Sequence, residues 1–136
     1  SGYWKNNEET KKVFTKNGHF KTGDLGRFNE KGSLQIIDRK KDLIIISGFN
    51  VYPNEIEDVV AGYPGIIECA VVGVKGSNDT EIVKLFVVTS EENFSEEEIQ
   101  KFCRINLAAY KCPKEIEVRD SLPKSNVGKI LRKELR

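Results

Sequence analysis

Leu43-Ile44-Ile45-Ile46-Ser47-Gly48-Phe49-Asn50-Val51-Tyr52-Pro53-Asn54-Glu55-Ile56-Glu57-Asp58-Val59-Val60-Ala61-Gly62-Tyr63 is the stretch on which the reading of this chain turns. An apolar run breaks at Ser47-Gly48 and resumes, which predicts two short strands, 43–47 and 50–52, turning back at Gly48. Pro53 suits the first position of a helix, where its missing N–H costs nothing. Glu55, Glu57 and Asp58 fall in the early turns, where the helix dipole favours negative charge. Ile56, Val59, Val60 and Tyr63 follow i, i+3, i+4, i+7 spacing and define one buried face. Tyr63-Pro64-Gly65 ends the helix.

Downstream, residues 66–74 and 82–89 are rich in β-branched side chains and read as central strands, joined by a turn at Gly76-Ser77-Asn78-Asp79. Ser95 and Glu98 form a capping box that opens a helix with Ile99, Phe102 and Cys103 on one face. Residues 116–119 are a further strand beyond Pro113. The end, from Leu122, opens as a loop and closes as a short basic helix from about Ile130. Upstream, 24–29 and 33–38 form a hairpin across Glu30-Lys31-Gly32, whereas Gly2 to Gly18 is polar and shows no periodicity. The order from residue 43 is ββ-α-β-β-α-β-α, an α+β domain with a central sheet flanked by helices. Residues 1–38 read as the tail of something else, and the seam is Arg39-Lys40-Lys41-Asp42.

Composition narrows the function. With 22 basic and 21 acidic residues the 136-residue chain has net charge +1, which argues against a dedicated nucleic-acid binder. A non-enzymatic module for RNA or a protein partner would interleave exposed aromatics with basic residues, yet the basic tail from Lys124 to Arg136 contains no aromatic. The longest apolar run, Leu43 to Ile46, is far short of the ~20 residues of a membrane span. Cys69, Cys103 and Cys112 form no CxxC pair and read as buried free thiols of a reducing compartment. His19 is the only histidine, so no zinc site assembles and no metal ligand is assigned. The opening residues carry no signal-peptide pattern, and the expected location is the cytoplasm.

Four constellations are places for chemistry. Lys21-Thr22-Gly23-Asp24 puts a carboxylate after a glycine at a strand start, either an ordinary turn or an acceptor for ligand hydroxyls. Arg39-Lys40-Lys41-Asp42 is either a solvated edge or an anion site and hinge. Ser47-Gly48-Phe49-Asn50 is either a plain hairpin turn or a place where backbone approaches a ligand closely. Ser125-Asn126-Val127-Gly128-Lys129-Ile130 presents a lysine from a glycine-containing loop. It is not a Walker motif, since positions 123 and 130 are Pro and Ile where Gly and Ser or Thr are required. A lysine that delivers positive charge to a phosphate or carboxylate in a transition state fits it.

In this order the motifs resemble those of the adenylate-forming enzymes, the superfamily of acyl-CoA synthetases, adenylation domains and luciferases. Asn17-Gly18-His19-Phe20-Lys21-Thr22-Gly23-Asp24-Leu25-Gly26 with Ile36-Ile37-Asp38-Arg39-Lys40-Lys41-Asp42 is similar to the signature of bacterial long-chain fatty-acid–CoA ligases. So is the stretch from Ser47 to Glu57, including Asn50, where many other relatives carry arginine. Leu122-Pro123-Lys124-Ser125-Asn126-Val127-Gly128-Lys129-Ile130-Leu131-Arg132 resembles the lysine motif near the end of such enzymes.

The resemblance implies the C-terminal part of an ATP-dependent ligase that adenylates a fatty acid and then passes the acyl group to CoA. A C-terminal domain rotates between the two steps. By match, Asp24 accepts hydrogen bonds from the ribose, Arg39 lies near ribose and phosphates, and Lys41 is the hinge position. Lys129 matches the catalytic lysine of adenylation. Ser47, Gly48 and Phe49 line the pantetheine passage, and Lys114 lies near the CoA nucleotide. The implied organisation is 1–38 as the incomplete end of an N-terminal adenylation domain, 39–42 as hinge and 43–136 as the mobile C-terminal domain. ATP and Mg²⁺ belong mainly to the N-terminal domain, CoA is co-substrate, and the whole enzyme is cytoplasmic or peripheral at the inner face of the membrane. The fragment by itself is expected to be inactive, and its orphaned strands invite a strand-exchanged homodimer. An adenylation domain that loads a carrier protein is the neighbouring alternative.

Overall fold

The computed structural model describes residues 2–77, 79–91 and 94–136. The chain forms two compact units, Ser1–Lys41 and Asp42–Arg136.

The first unit holds helix α1 (Asn7–Val13) and the antiparallel hairpin of β1 (Asp24–Phe28) and β2 (Leu34–Arg39). The helix departs from the expectation of irregular chain. It buries no residue, so it carries no apolar period to be seen. End effects hold it instead: the Asn6 side chain accepts from the Glu9 N–H, Glu8 and Glu9 lie in the first turn, and Lys11 and Lys12 in the last. The hairpin has the expected bounds to within a residue. Its register places Asp24 opposite Arg39, with a bulge between Leu25 and Gly26. Phe28, Leu34 and Ile36 remain exposed, while the Asp38 carboxylate is buried.

The second unit is built on a three-stranded sheet in the order β5 (Ile66–Lys75), β6 (Glu81–Thr89), β7 (Glu115–Val118), with β6 antiparallel to β5 and parallel to β7. Only β6 is central; β5 is an edge. The turn expected between them includes Asn78, which lies outside the described residues. Both faces of the sheet are buried, which accounts for near-continuous apolar strands rather than clean alternation. One face carries Val71, Val83, Leu85 and Val87 against Ile56 and Val60 of α2 (Pro53–Ala61) and Ile99 and Cys103 of α3 (Glu96–Asn106). Ile44 and Val51, from the short hairpin β3 (Ile44–Ile46) and β4 (Phe49–Val51), complete that core. The other face carries Ala70, Val72, Phe86 and Val88, and it is closed by Leu122 and Leu135 of the C-terminal segment with Ile130 beside them.

Both helices therefore lie on one face, and the last residues of the chain cover the other. The short basic helix expected there is a single 3₁₀ turn, Arg132–Leu135, because Leu135 must turn back into the second core. α3 opens as the capping box predicts, with the Ser95 hydroxyl accepting from the Glu98 N–H at 3.4 Å. The three cysteines are free. Burial pushes the Cys69 thiol up to about 12, helped by the Glu57 and Asp58 charges, and the Cys103 thiol up to about 11. Among the described residues, no helix is long and apolar enough to cross a membrane.

Candidate functional site

In the first unit, the hairpin register brings two of the sequence-identified residues together. Arg39 Nε lies 3.0 Å from Asp24 Oδ1 across the β1–β2 pair. The buried Asp38 carboxylate accepts the Arg39 backbone N–H at 2.7 Å, and the Lys40 N–H donates to the Gly23 carbonyl at 2.8 Å. These bonds define one end of the hairpin, next to a pocket of about 490 Å³ lined by Thr22, Gly23, Arg39, Lys40 and Lys41. Three cations in that lining suit an anionic ligand. Asp24 adds a carboxylate already oriented by a guanidinium.

In the second unit, Lys129 ends a closed loop. The Ser125 N–H donates to the Lys129 carbonyl (2.8 Å), the Gly128 N–H to the Ser125 carbonyl (2.8 Å), and the Lys129 N–H to the Ser125 hydroxyl (3.2 Å). Gly128 has φ +78°, a value that side chains other than glycine rarely adopt. Lys124 and Ile130 bridge across the base, and the Leu131 N–H donates to the Pro123 carbonyl. Lys124 pairs with Glu68 of β5. The Lys129 side chain is exposed and forms no ion pair among the described residues, which leaves its ammonium open to a ligand. The loop is a hydrogen-bonded hairpin.

Ser47 and Gly48, at φ +49° and +85°, form the two-residue turn between β3 and β4. Two left-handed residues in a row are what a tight hairpin of this twist requires. Phe49 leaves the turn 58% exposed and stacks on Tyr110, ring centroids 5.0 Å apart. Lys111 sits over the Tyr110 ring and pairs with Glu55 of α2 at 2.6 Å. Lys114 is exposed, its backbone N–H donating to the Val83 carbonyl at 2.9 Å. Tyr110 was not singled out by sequence reasoning. Its only signal was an aromatic beside a lysine in the short link between α3 and Pro113.

Arg132 was quoted in the lysine motif but given no role. It is the hub of a polar cluster in the second unit: its guanidinium donates to Glu57 Oε1 (3.2 Å), Glu57 Oε2 (2.6 Å) and Asn54 Oδ1 (2.9 Å). No signal in a single sequence pairs Arg132 with residues 75 and 78 positions away. Among the described residues, no group of three His, Cys, Asp or Glu side chains is placed to hold a metal ion.

Residues 55–129 match the AMP-binding enzyme C-terminal domain family, and the chain belongs to it. The chain is 55% identical over 135 residues to a long-chain-fatty-acid–CoA ligase of Escherichia coli, covering 99% of this chain and 24% of that protein. It is 50% identical over 135 residues to the protein of the same name from Haemophilus influenzae, again 99% of this chain and 24% of the relative. Among solved structures, ATP-bound MatB from Rhodopseudomonas palustris superimposes with TM-score 0.92 at 39% identity, covering 100% of this chain and 27% of that one. The chain thus spans about a quarter of the length of the relatives it matches. The α+β fold is that of the C-terminal domains of adenylate-forming ligases.

Proposed function

We propose that this chain is the C-terminal part of an ATP-dependent long-chain fatty-acid–CoA ligase. The observation that carries the reading is similarity along the whole chain to relatives of that name, joined to an exposed lysine on a hydrogen-bonded loop. Adenylation joins a fatty carboxylate to the α-phosphate of ATP and expels pyrophosphate. Negative charge rises on the reacting oxygens as the carboxylate attacks. An ammonium is a compact point charge that stabilises them without proton transfer. Lys129 supplies it. Asp24 accepts the ribose hydroxyls, and Arg39, which fixes Asp24, adds positive charge on the phosphate side. The Asp24–Arg39 pair, beside a pocket whose lining residues include Arg39, Lys40 and Lys41, supports that assignment.

Ser47, Gly48 and Phe49 border the pantetheine arm of CoA in the second step, with Lys114 toward its nucleotide. Exposure of the turn, and of Phe49 and Lys114, supports this. Residues 1–38 belong to an N-terminal adenylation domain, 39–42 are the hinge with Lys41 at its pivot, and 43–136 rotate. The break between compact units after Lys41 is consistent with that division. The N-terminal domain supplies the rest of the ATP site, Mg²⁺ and the acyl tunnel. Exposed Phe28, Leu34 and Ile36 on the hairpin fit strands made to be covered, by that domain or by a second copy. The relatives' names favour CoA over a carrier protein as acceptor. The full enzyme works in the cytoplasm or at the inner membrane face, where its substrate collects.

Lys129→Ala in the full-length protein tests the reading, with palmitate and the two half-reactions followed separately. Adenylation is expected to fall about 10²- to 10³-fold, while supplied palmitoyl-adenylate still reacts with CoA. The isolated 136-residue chain, run alongside, is expected to release no pyrophosphate. Survival of both half-reactions in the variant would remove Lys129 from the chemistry.

A further inference from the structure

Resting on the reading of Lys129 as the adenylation lysine, we propose that Arg132 is a positioning residue for it. Arg132 ties the base of the Lys129 loop to α2, with Asp42 at ion-pair distance, and so sets the direction in which the lysine is presented.

Arg132 follows Lys129 by three residues and begins the 3₁₀ turn. Its guanidinium forks onto both oxygens of Glu57, donates to Asn54, and brings Nη1 to 3.8 Å from Asp42 Oδ2. Arg136 donates to the other Asp42 oxygen at 2.9 Å. Glu57 Oε1 also accepts the Val71 N–H, at 2.7 Å, on the free edge of β5. The cluster is shielded: side-chain exposure is 21% at Arg132, 17% at Glu57 and 8% at Asp42. Fork-on-carboxylate geometry in such a place fixes direction as well as distance. Its members come from three parts of the sequence: the residue just after Lys41, the first turns of α2, and the segment leaving the lysine loop. On the other side of the same segment, Leu131 is tied to Pro123 and Leu135 is sunk in the second core.

Two consequences follow. The Lys129 ammonium hangs on a four-carbon stem, so its reach is set by the angle at which the loop leaves its base. A shift of about 1 Å there can cost up to about 100-fold in a positioned reaction. Asp42, which follows the proposed hinge position, is hydrogen-bonded by Arg136 at 2.9 Å and lies 3.8 Å from the same guanidinium. The polar network beneath the lysine loop thus extends to Asp42 within the same unit. Lysine at position 132 would keep the charge but lose the fork.

The test uses the full-length protein with Lys129→Ala, Arg132→Lys, Asp42→Asn and the Arg132→Lys/Asp42→Asn double variant. Adenylation kcat, ATP KM, the reaction of supplied palmitoyl-adenylate with CoA, and Tm are measured for each. Arg132→Lys is expected to lower adenylation kcat about 10- to 100-fold, with ATP KM and the thioester step little changed. Asp42→Asn is expected to act in the same direction, and the double variant to be no worse than Arg132→Lys. Equal loss in both half-reactions, tracking Tm, would mean Arg132 serves only the fold and would overturn the proposal. So would an unchanged adenylation rate in both single variants. If Arg132→Lys does not fold, Asp42→Asn decides by the same comparison. A Lys129→Ala enzyme that still adenylates would defeat the underlying reading; one that does not, beside an intact Arg132→Lys, would defeat only this inference.

Discussion

Gly48 has a conformational role in its turn that is independent of any ligand. At φ +85° it completes a two-residue hairpin turn with Ser47, and a Cβ built there would meet no heavy atom within 4 Å. In this chain the obstacle to a side chain is backbone strain, about 1–2 kcal/mol for a left-handed residue, rather than a clash. If the turn borders the pantetheine passage, Gly48→Leu in the full-length protein spares adenylation and blocks thioester formation. Gly48→Asn, which tolerates the same backbone, reports the strain alone. Equal loss of both half-reactions in Gly48→Leu would take the turn out of the passage. The Asp24–Arg39 pair was also legible at this scale as two candidate residues. Their approach to 3.0 Å was not, because it depends on hairpin register and on the bulge at Leu25–Gly26.

At the scale of elements, the lysine hairpin shares its design with two other loops. Thr15–His19, Asn29–Ser33 and Ser125–Lys129 each donate the first N–H to the fifth carbonyl, with glycine in the fourth place. A small polar residue followed three positions on by glycine was thus the readable signature of all three turns. What distinguishes the lysine loop is its base, where Leu122 and Leu135 close the second face of the sheet and Val127 at the tip stays exposed. Leu135→Ala is expected to destabilise the protein by about 2–5 kcal/mol through the cavity it leaves. Val127→Ala should stay within about 0.5 kcal/mol, as surface changes do. Urea unfolding of the chain distinguishes them, and similar values for both would mean the C-terminal segment does not seal the sheet. Helix α1 marks the opposite limit, an element made by capping and charge with no buried face to betray it.

At the scale of the whole molecule, the two units differ in how they can be stable. Residues 42–136 own two buried clusters, one on each face of a three-stranded sheet. Residues 1–41 own a hairpin and a short helix, with Asp38 the sole side chain of the unit that is fully buried among those described. An isolated hairpin is marginal in water. A chain of residues 42–136 is therefore expected to unfold cooperatively in urea, and one of residues 1–41 to show no cooperative transition by circular dichroism. A cooperative transition in the shorter piece would mean that it is a domain in its own right.

Sequence by itself determined the α+β class, the strands of both hairpins, the start of α2 at Pro53 and the loop that carries Lys129. These follow from local causes: proline and glycine geometry, capping, and the periodicity of apolar side chains over a few residues. Tertiary structure alone decided that β5 is an edge, that the C-terminal segment covers the second face, and that Tyr110 meets Phe49. It alone joined Arg132 to Glu57, Asn54 and Asp42. Those partners lie 75, 78 and 90 residues away in the chain, counting from 132 to 57, 54 and 42. Charges and polar groups pair by proximity in space, and nothing in their local sequence records which distant neighbour the folded sheet will bring within reach.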